Sequence, residues 1–344
     1  MTGTLILEDG SKFTGTSFGF QKSSAGEVVF STGMVGYPES LTDPSYKGQI
    51  LILTYPIIGS YGVPDKKYWE SDAIQVSGLV VSNYINTPSH FQSKFSLGDW
   101  LKREKVPALE ITDTRLLTQI IRTKGTMLGK IIIKKDLEFY DPNKTNLVAD
   151  VSTKKILREG TGTKTVVLID CGTKLNIKRN LIKRGLKVIT VPWNFDLFTN
   201  KVEKFDAVVV SNGPGDPKMV QETINIVRKI LDKKIPLLGI CLGHQILTLA
   251  GGGNTYKLKF GHRSQNQPCI LKGSKRCFLT TQNHSFAVNR IPNGFKSWFE
   301  NANDGSNEGI IHKKYPFMSV QFHPESNPGP QDGEWIFDYF LKRI

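Results

Sequence analysis

The sequence predicts an α/β protein in two parts: a smaller, β-rich α/β domain, then a domain with a mostly parallel central sheet and flanking helices. Three observations carry this. Short apolar runs bounded by turn signals fill roughly the first 140 residues. From Thr165 onward, apolar runs alternate with amphipathic stretches, the rhythm of strands joined by helices across a parallel sheet covered on both faces. Between them, "DPNKTNLVADVSTKKILREGTGTK" (Asp141 to Lys164) is polar and poor in apolar clusters. The boundary is placed inside it: residues 1–150 form the first domain, 151–164 a linker and 165–344 the second domain.

Taken in order, Thr4–Leu7 and Phe13–Phe20 read as strands around the Asp9-Gly10 turn signal. "QILILTYP" and "IQVSGLVV" are strands, "SLGDWLKREK" a helix. "TDTRLLTQIIRTKG" is a helix closed by Gly125, with Leu116, Leu117, Ile120 and Ile121 on one face. "TMLGKIII" returns to strand. In the second part, "TVVLID", "LKVITVP", "FDAVVV", "IPLLGI" and "FMSVQF" are strands. "NIKRNLIKRG", "MVQETINIVRKILDKK", "HQILTLAGG" and "DGEWIFDYFLKRI" are helices, the last with a stripe of Trp335, Ile336, Tyr339 and Phe340.

Composition narrows the function classes. At 344 residues and 39% hydrophobic, the chain holds enough apolar surface for two cores. No run reaches the roughly 18 apolar residues of a membrane span, and "MTGTLILEDGSKF" has the features of neither a signal nor a transit peptide. Four cysteines without a CxxC pair do not make a disulfide scaffold, so a reducing, cytoplasmic location is expected. The net charge of +14 is spread along the chain, with no basic helix interleaved with aromatics. Nucleic-acid and membrane partners are therefore not expected. The excess charge suits a solvated surface or a face meeting an acidic protein. Neither zinc-finger nor H-E-x-x-H spacing occurs, so no metal site is expected.

The chemistry concentrates at Gly239-Ile240-Cys241-Leu242-Gly243, between an apolar strand and a helix. This has the form of a nucleophile elbow with Cys in place of Ser: the glycines permit a sharp turn that projects the side chain at the sheet's carboxyl edge. The helix N-terminus favours negative charge there, and its N–H groups can stabilise an oxyanion. Alone, the pentapeptide suits a buried cysteine in a tight turn equally well. His323, opening "HPES" after the strand "FMSVQF", supplies a candidate base at another strand end. Glu325 can fix its tautomer. His244 is expected to support the turn. "SNGPGDP" (Ser211–Pro217) is a rigid turn with exposed backbone but not a phosphate loop. Gln245 and Asn283 can read an amide or an α-amino acid, though each alone equally suits a capping or turn role.

"GICLGHQ", "SNGPGDP" and "VQFHPE" together resemble the class I glutamine amidotransferases, glutaminase domains with a Cys-His-Glu triad. "GEVVFSTGMVGYPESLTDPSYKGQILILTYPIIGSYG", "TDTRLLTQIIRTKG", "LIDCGTKLNIKRNLIKRG" and "NANDGSNEG" resemble the small subunit of glutamine-dependent carbamoyl phosphate synthetase. The likeness leans toward the eukaryotic form, often fused ahead of its synthetase. It implies Cys241 as nucleophile, His323 as base and Glu325 as its orienting carboxylate. It also implies substrate contacts from Ser45, Gly213, Gly215, Leu242, Gln245, Asn283, Ser285 and Phe286. Ser285 stands where many relatives have Gly, and "FGHRSQNQP" is assigned no substrate role. The implied reaction is glutamine hydrolysis through a γ-glutamyl thioester, with ammonia passed to a carbamoyl phosphate synthetase in the pyrimidine or arginine pathway. No cofactor is expected in this chain; ATP and Mg would belong to the synthetase partner. The alternatives are an amidotransferase for another synthetase, a stand-alone γ-glutamyl hydrolase and a catalytically silent regulatory subunit.

Overall fold

The structure, a computed structural model, describes residues 1–344 and divides into two compact units, Met1–Thr145 and Asn146–Ile344. The first is a closed barrel. Its strands are β1 (Thr2–Leu7), β2 (Lys12–Ser17), β3 (Ser24–Ser31), β4 (Gln49–Leu53), β5 (Gly78–Val81), β6 (Ala108–Glu110) and β7 (Met127–Ile132), in the order β1-β2-β6-β5-β4-β3-β7. Three helices accompany them: α1 (Tyr37–Thr42), α2 (Leu97–Arg103) and α3 (Thr114–Lys124). The β1–β2 hairpin turns at Gly10, whose φ of 88° suits glycine. α3 opens with the Asp113 side chain accepting from Leu116 N at 2.9 Å and ends at Gly125. Its buried stripe is narrower than expected: Thr114, Leu117 and Ile121 are buried along one line, but Leu116 is 45% exposed.

The second unit contains α4 (Val148–Val151), β8 (Leu157–Glu159), β9 (Lys164–Asp170), α5 (Leu175–Lys183), β10 (Leu186–Pro192), β11 (Ala207–Val210), α6 (Gln221–Asp232) and β12 (Leu237–Ile240). It continues with α7 (Leu242–Ala250), β13 (Asn254–Leu271), β14 (Cys277–Arg290), β15 (Phe295–Asn301), β16 (Asn307–His312), β17 (Phe317–Val320) and α8 (Trp335–Leu341). One ten-stranded sheet runs β14-β13-β15-β16-β17-β12-β11-β9-β10-β8. Successive residues of β9 feed opposite faces. Val167 and Ile169 join a core under α6 and α7, while Val166 and Leu168 join one that includes residues of α5 and α8. Continuous apolar runs such as "TVVLID" follow from burial on both faces.

The centre of the sheet is parallel as expected: β17, β12, β11, β9 and β10 are parallel neighbours, while β8 and β13–β16 extend it with antiparallel pairs. The antiparallel part was hidden because β13 is interrupted by register shifts and alternates polar with apolar residues irregularly. The expected linker at residues 151–164 needs correction. Contacts divide the chain between Thr145 and Asn146, and Leu157–Glu159 pairs with β10 as an edge strand. A three-residue edge strand needs few apolar residues, so it read as polar.

Candidate active site

Because β9, β11, β12 and β17 run parallel, their carboxyl ends share one edge of the sheet. The loops that follow begin at Cys171, Ser211, Cys241 and Gln321. This edge of an open α/β sheet is where ligands ordinarily bind. Gly243 N donates to Ser211 O at 3.0 Å, and Cys171 N donates to Ser211 Oγ at 2.9 Å, so the loops brace one another.

Cys241 occupies the turn from β12 into α7 with φ 54° and ψ −102°. For a residue with a Cβ this is strained backbone, of order 1–3 kcal/mol. The flanking glycines make it possible. A Cβ on Gly239 would stand 2.5 Å from Gly243 O, and one on Gly243 would stand 2.2 Å from Val210 O. Gly243→Ala is therefore expected to cost at least about 2 kcal/mol. Urea unfolding checks this; an unchanged midpoint would contradict the close approach. Cys241 is buried, and its Sγ lies 3.7 Å from Asn283 O on β14. Leu242 N–H opens α7, where helix geometry supplies no intrahelical acceptor.

His323 follows β17. Its N donates to Thr281 O at 2.9 Å, drawing it toward the strand that carries Asn283. Its Nδ1 lies 2.6 Å from Glu325 Oε1, and Glu325 Oε1 lies 3.1 Å from Lys174 Nζ. All three are buried, Glu325 completely. Burial disfavours charge on His323, but the Glu325 carboxylate and the Cys241 sulfur outweigh it and raise the pKa to about 10. Burial also opposes the charge of Glu325, yet Lys174 and His323 hold its pKa down at about 2. His323 Nε2 has no hydrogen-bond partner, which leaves that nitrogen available to a reacting group.

These shifts couple the site to folding. His323 binds its proton more tightly when folded, so its contribution is fully present below pH 6.5 and lost as pH rises through about 10. Glu325 is shifted the other way: its contribution is present above pH 4.5 and lost as pH falls through about 2. In Glu325→Gln the urea midpoint should vary less between pH 7 and 10 than in the wild type. Superimposable pH profiles would contradict the coupling.

The remaining residues named from sequence are placed as follows. A Cβ on Gly213 would stand 2.0 Å from Cys171 O and 2.9 Å from Leu242 Cδ2, so this loop packs on the elbow. Gly215 has φ 84° and sits beside Leu147. Gln245 Nε2 donates to Phe286 O (2.8 Å) and Gln321 Oε1 (3.0 Å), linking α7 to β14 and the loop after β17. Arg263 donates to Ser285 Oγ. Gly213, Leu242, Gln245, Asn283, Ser285 and Phe286 thus lie on elements that meet around Cys241. Ser45 belongs to the first unit, in the turn Pro44–Tyr46, where its N donates to Asp43 Oδ1. His244 is fully buried with Nδ1 2.9 Å from Ser319 Oγ, and burial lowers its pKa to about 3.

Sequence reasoning missed Lys174, Asn176 and Asn212. Lys174 N donates to Asn212 Oδ1 at 2.9 Å, its ammonium donates to Ser326 O, and the Asn176 side chain donates to Glu325 O. The available signal was "DCGTK", a polar, glycine-containing loop at the end of an apolar strand.

Fold and site define a class I amidotransferase architecture. The family description "Glutamine amidotransferase class-I" matches residues 167–343, and "Carbamoyl-phosphate synthase small chain, CPSase domain" matches residues 5–131. The chain belongs to the class I glutamine amidotransferases, in the branch carrying the carbamoyl-phosphate synthase small-chain domain. It is 50% identical over 357 residues to "Carbamoyl-phosphate synthase [ammonia], mitochondrial" of Mus musculus, and 51% identical over 357 residues to the protein of that name in Homo sapiens. Each alignment covers 100% of this chain and 24% of the relative. It is 50% identical over 356 residues to "Multifunctional protein CAD" of Squalus acanthias, covering 98% of this chain and 16% of that one. The chain therefore spans a quarter or less of these relatives. The cytoplasmic expectation is corrected: the mouse and human relatives are named as mitochondrial, and cysteine usage does not separate two reducing compartments. No helix is long and apolar enough to cross a membrane.

Proposed function

We propose that the chain hydrolyses glutamine to glutamate and ammonia and delivers the ammonia to a carbamoyl phosphate synthetase, as a partner subunit or a fused domain. The observation that carries this reading is a strained cysteine on a strand-to-helix turn, acting electrostatically on a buried His323 that Glu325 orients. Cys241 sulfur attacks the γ-carbonyl carbon while its proton resides on His323. Leu242 N–H, with backbone N–H groups near Gly215, stabilises the oxyanion. His323 protonates the departing ammonia, leaving a γ-glutamyl thioester. It then accepts a proton from water, which attacks the thioester and releases glutamate. Gln245 Oε1, Asn283, Ser285 and Phe286 hold the amino-acid end. ATP and Mg belong to the synthetase; no step here needs a cofactor.

The names of the mouse and human relatives specify ammonia, which favours a second reading: a silent amidotransferase domain beside an ammonia-using synthetase. The strained Cys241 and the His323–Glu325 pair argue against it, because a silent domain has no use for that strain. Glutamate release, measured with and without a synthetase partner, decides. The expected result is glutamine-dependent glutamate formation that rises when the synthetase turns over. No glutamate in the coupled complex, with ammonia-dependent synthesis intact, would overturn the proposal.

A further inference from the structure

β13 carries His262 directly opposite His284 of β14, and the rings meet edge to face with centroids 5.0 Å apart. Glu308 of β16 enters the same space. One ligand-type atom from each of the three lies within 4.8 Å of the others, and all three residues are buried.

Each side chain is tied down at one end. His284 Nδ1 donates to Phe286 O at 2.8 Å. His262 Nε2 lies 2.9 Å from Asp304 Oδ2, and Asn301 Nδ2 donates to Glu308 Oε1 at 3.2 Å. The other ends face inward. His262 Nδ1 and Glu308 Oε2 have no hydrogen-bond partner, and Nδ1 stands 3.6 Å from Glu308 Oε1. With Nδ1 donating to Phe286 O, Nε2 is the lone-pair nitrogen of the neutral ring, and it lies 3.1 Å from the side-chain amide of Gln282. Imidazoles held through one nitrogen by a carbonyl or carboxylate, with the other nitrogen free, are how proteins present histidine to a metal. A buried carboxylate also calls for a cation.

We propose that His262, His284 and Glu308 bind a divalent transition metal, with zinc the best match to two imidazoles and one carboxylate. Calcium and magnesium prefer all-oxygen sites and are excluded by the two ring nitrogens. Ligands about 2.1 Å from a tetrahedral zinc stand about 3.4 Å apart. Atoms that lie within 4.8 Å of one another need to close by at most roughly 1.4 Å, and His262 Nδ1 and Glu308 Oε1 already stand 3.6 Å apart. The absence of a short spacing motif is explained by ligands on three different strands. The inference is independent of the glutaminase reading.

The test uses the full chain with Cys241→Ala, which removes the other sulfur–imidazole pair able to hold metal. Titration with cobalt(II) alone should give a visible d–d spectrum that saturates at one equivalent and is displaced by zinc. His262→Asn and Glu308→Gln should each weaken binding at least about 100-fold, with circular dichroism confirming the fold. Zinc-edge X-ray absorption of the Cys241→Ala chain needs no site variant: it should show nitrogen and oxygen ligands, two of them imidazole. Sulfur at about 2.3 Å, failure to bind one equivalent, or binding undiminished in both variants would overturn the proposal.

Discussion

Cys241→Ala should lower glutamine hydrolysis at least about a thousandfold, the scale on which removing a nucleophile abolishes covalent catalysis. In the proposed mechanism the loss falls on kcat, because no neighbour can form the bond assigned to the sulfur. Cys171 and Cys269 are no substitutes: both are buried, and burial pushes their thiols up, away from the nucleophilic thiolate. Cys277 is exposed and lies outside the elbow. Ammonia-dependent synthesis by a paired synthetase should persist, since the substitution touches only the glutamine half of the reaction. Activities are compared in the assembled complex with glutamine and with ammonium. Equal loss on both nitrogen sources would place Cys241 in assembly rather than in chemistry.

Glu325→Ala should damage both stability and catalysis. It leaves Lys174, 2% exposed, without its carboxylate, and uncompensating a buried ion pair costs about 3–5 kcal/mol. It also removes the acceptor that holds His323 Nδ1, for which a loss of about 10⁴ in kcat is the scale set by an analogous triad. Two controls separate these effects. Glu325→Gln retains the shape and should fold better while still losing most activity. Pairing Glu325→Gln with Lys174→Met should restore the urea midpoint without restoring turnover, because only the orienting charge is then missing. Recovery of activity alongside stability would reduce Glu325 to a packing role.

The parts of this site that were legible in the sequence are local ones. G-x-C-x-G is a turn whose glycines answer to contacts within a few residues and the adjoining strand, and His-x-Glu places a base and its partner two residues apart. Lys174 was not legible, because a lysine after a strand gains meaning only when the fold brings Glu325 to it. The parallel centre of the sheet was readable from unbroken apolar strands. The β13–β14 ribbon was not: its buried middle pairs His262 with His284, Arg263 with Asn283 and Ser264 with Gln282, polar side chains where an ordinary core strand would show apolar alternation. Leu116 shows the opposite limit. Periodicity put it on the helix's buried face, yet burial follows only the line of Thr114, Leu117 and Ile121.

The central claim is that Cys241 carries glutamine's acyl group. Its most direct test is acid quenching of the enzyme, alone and in complex with the synthetase, during turnover of glutamine, followed by peptide mass spectrometry. The account predicts a γ-glutamyl adduct on the Cys241 peptide of the wild-type chain and none in Cys241→Ala. Undiminished glutamate production by Cys241→Ala, or an adduct on another residue, would contradict it.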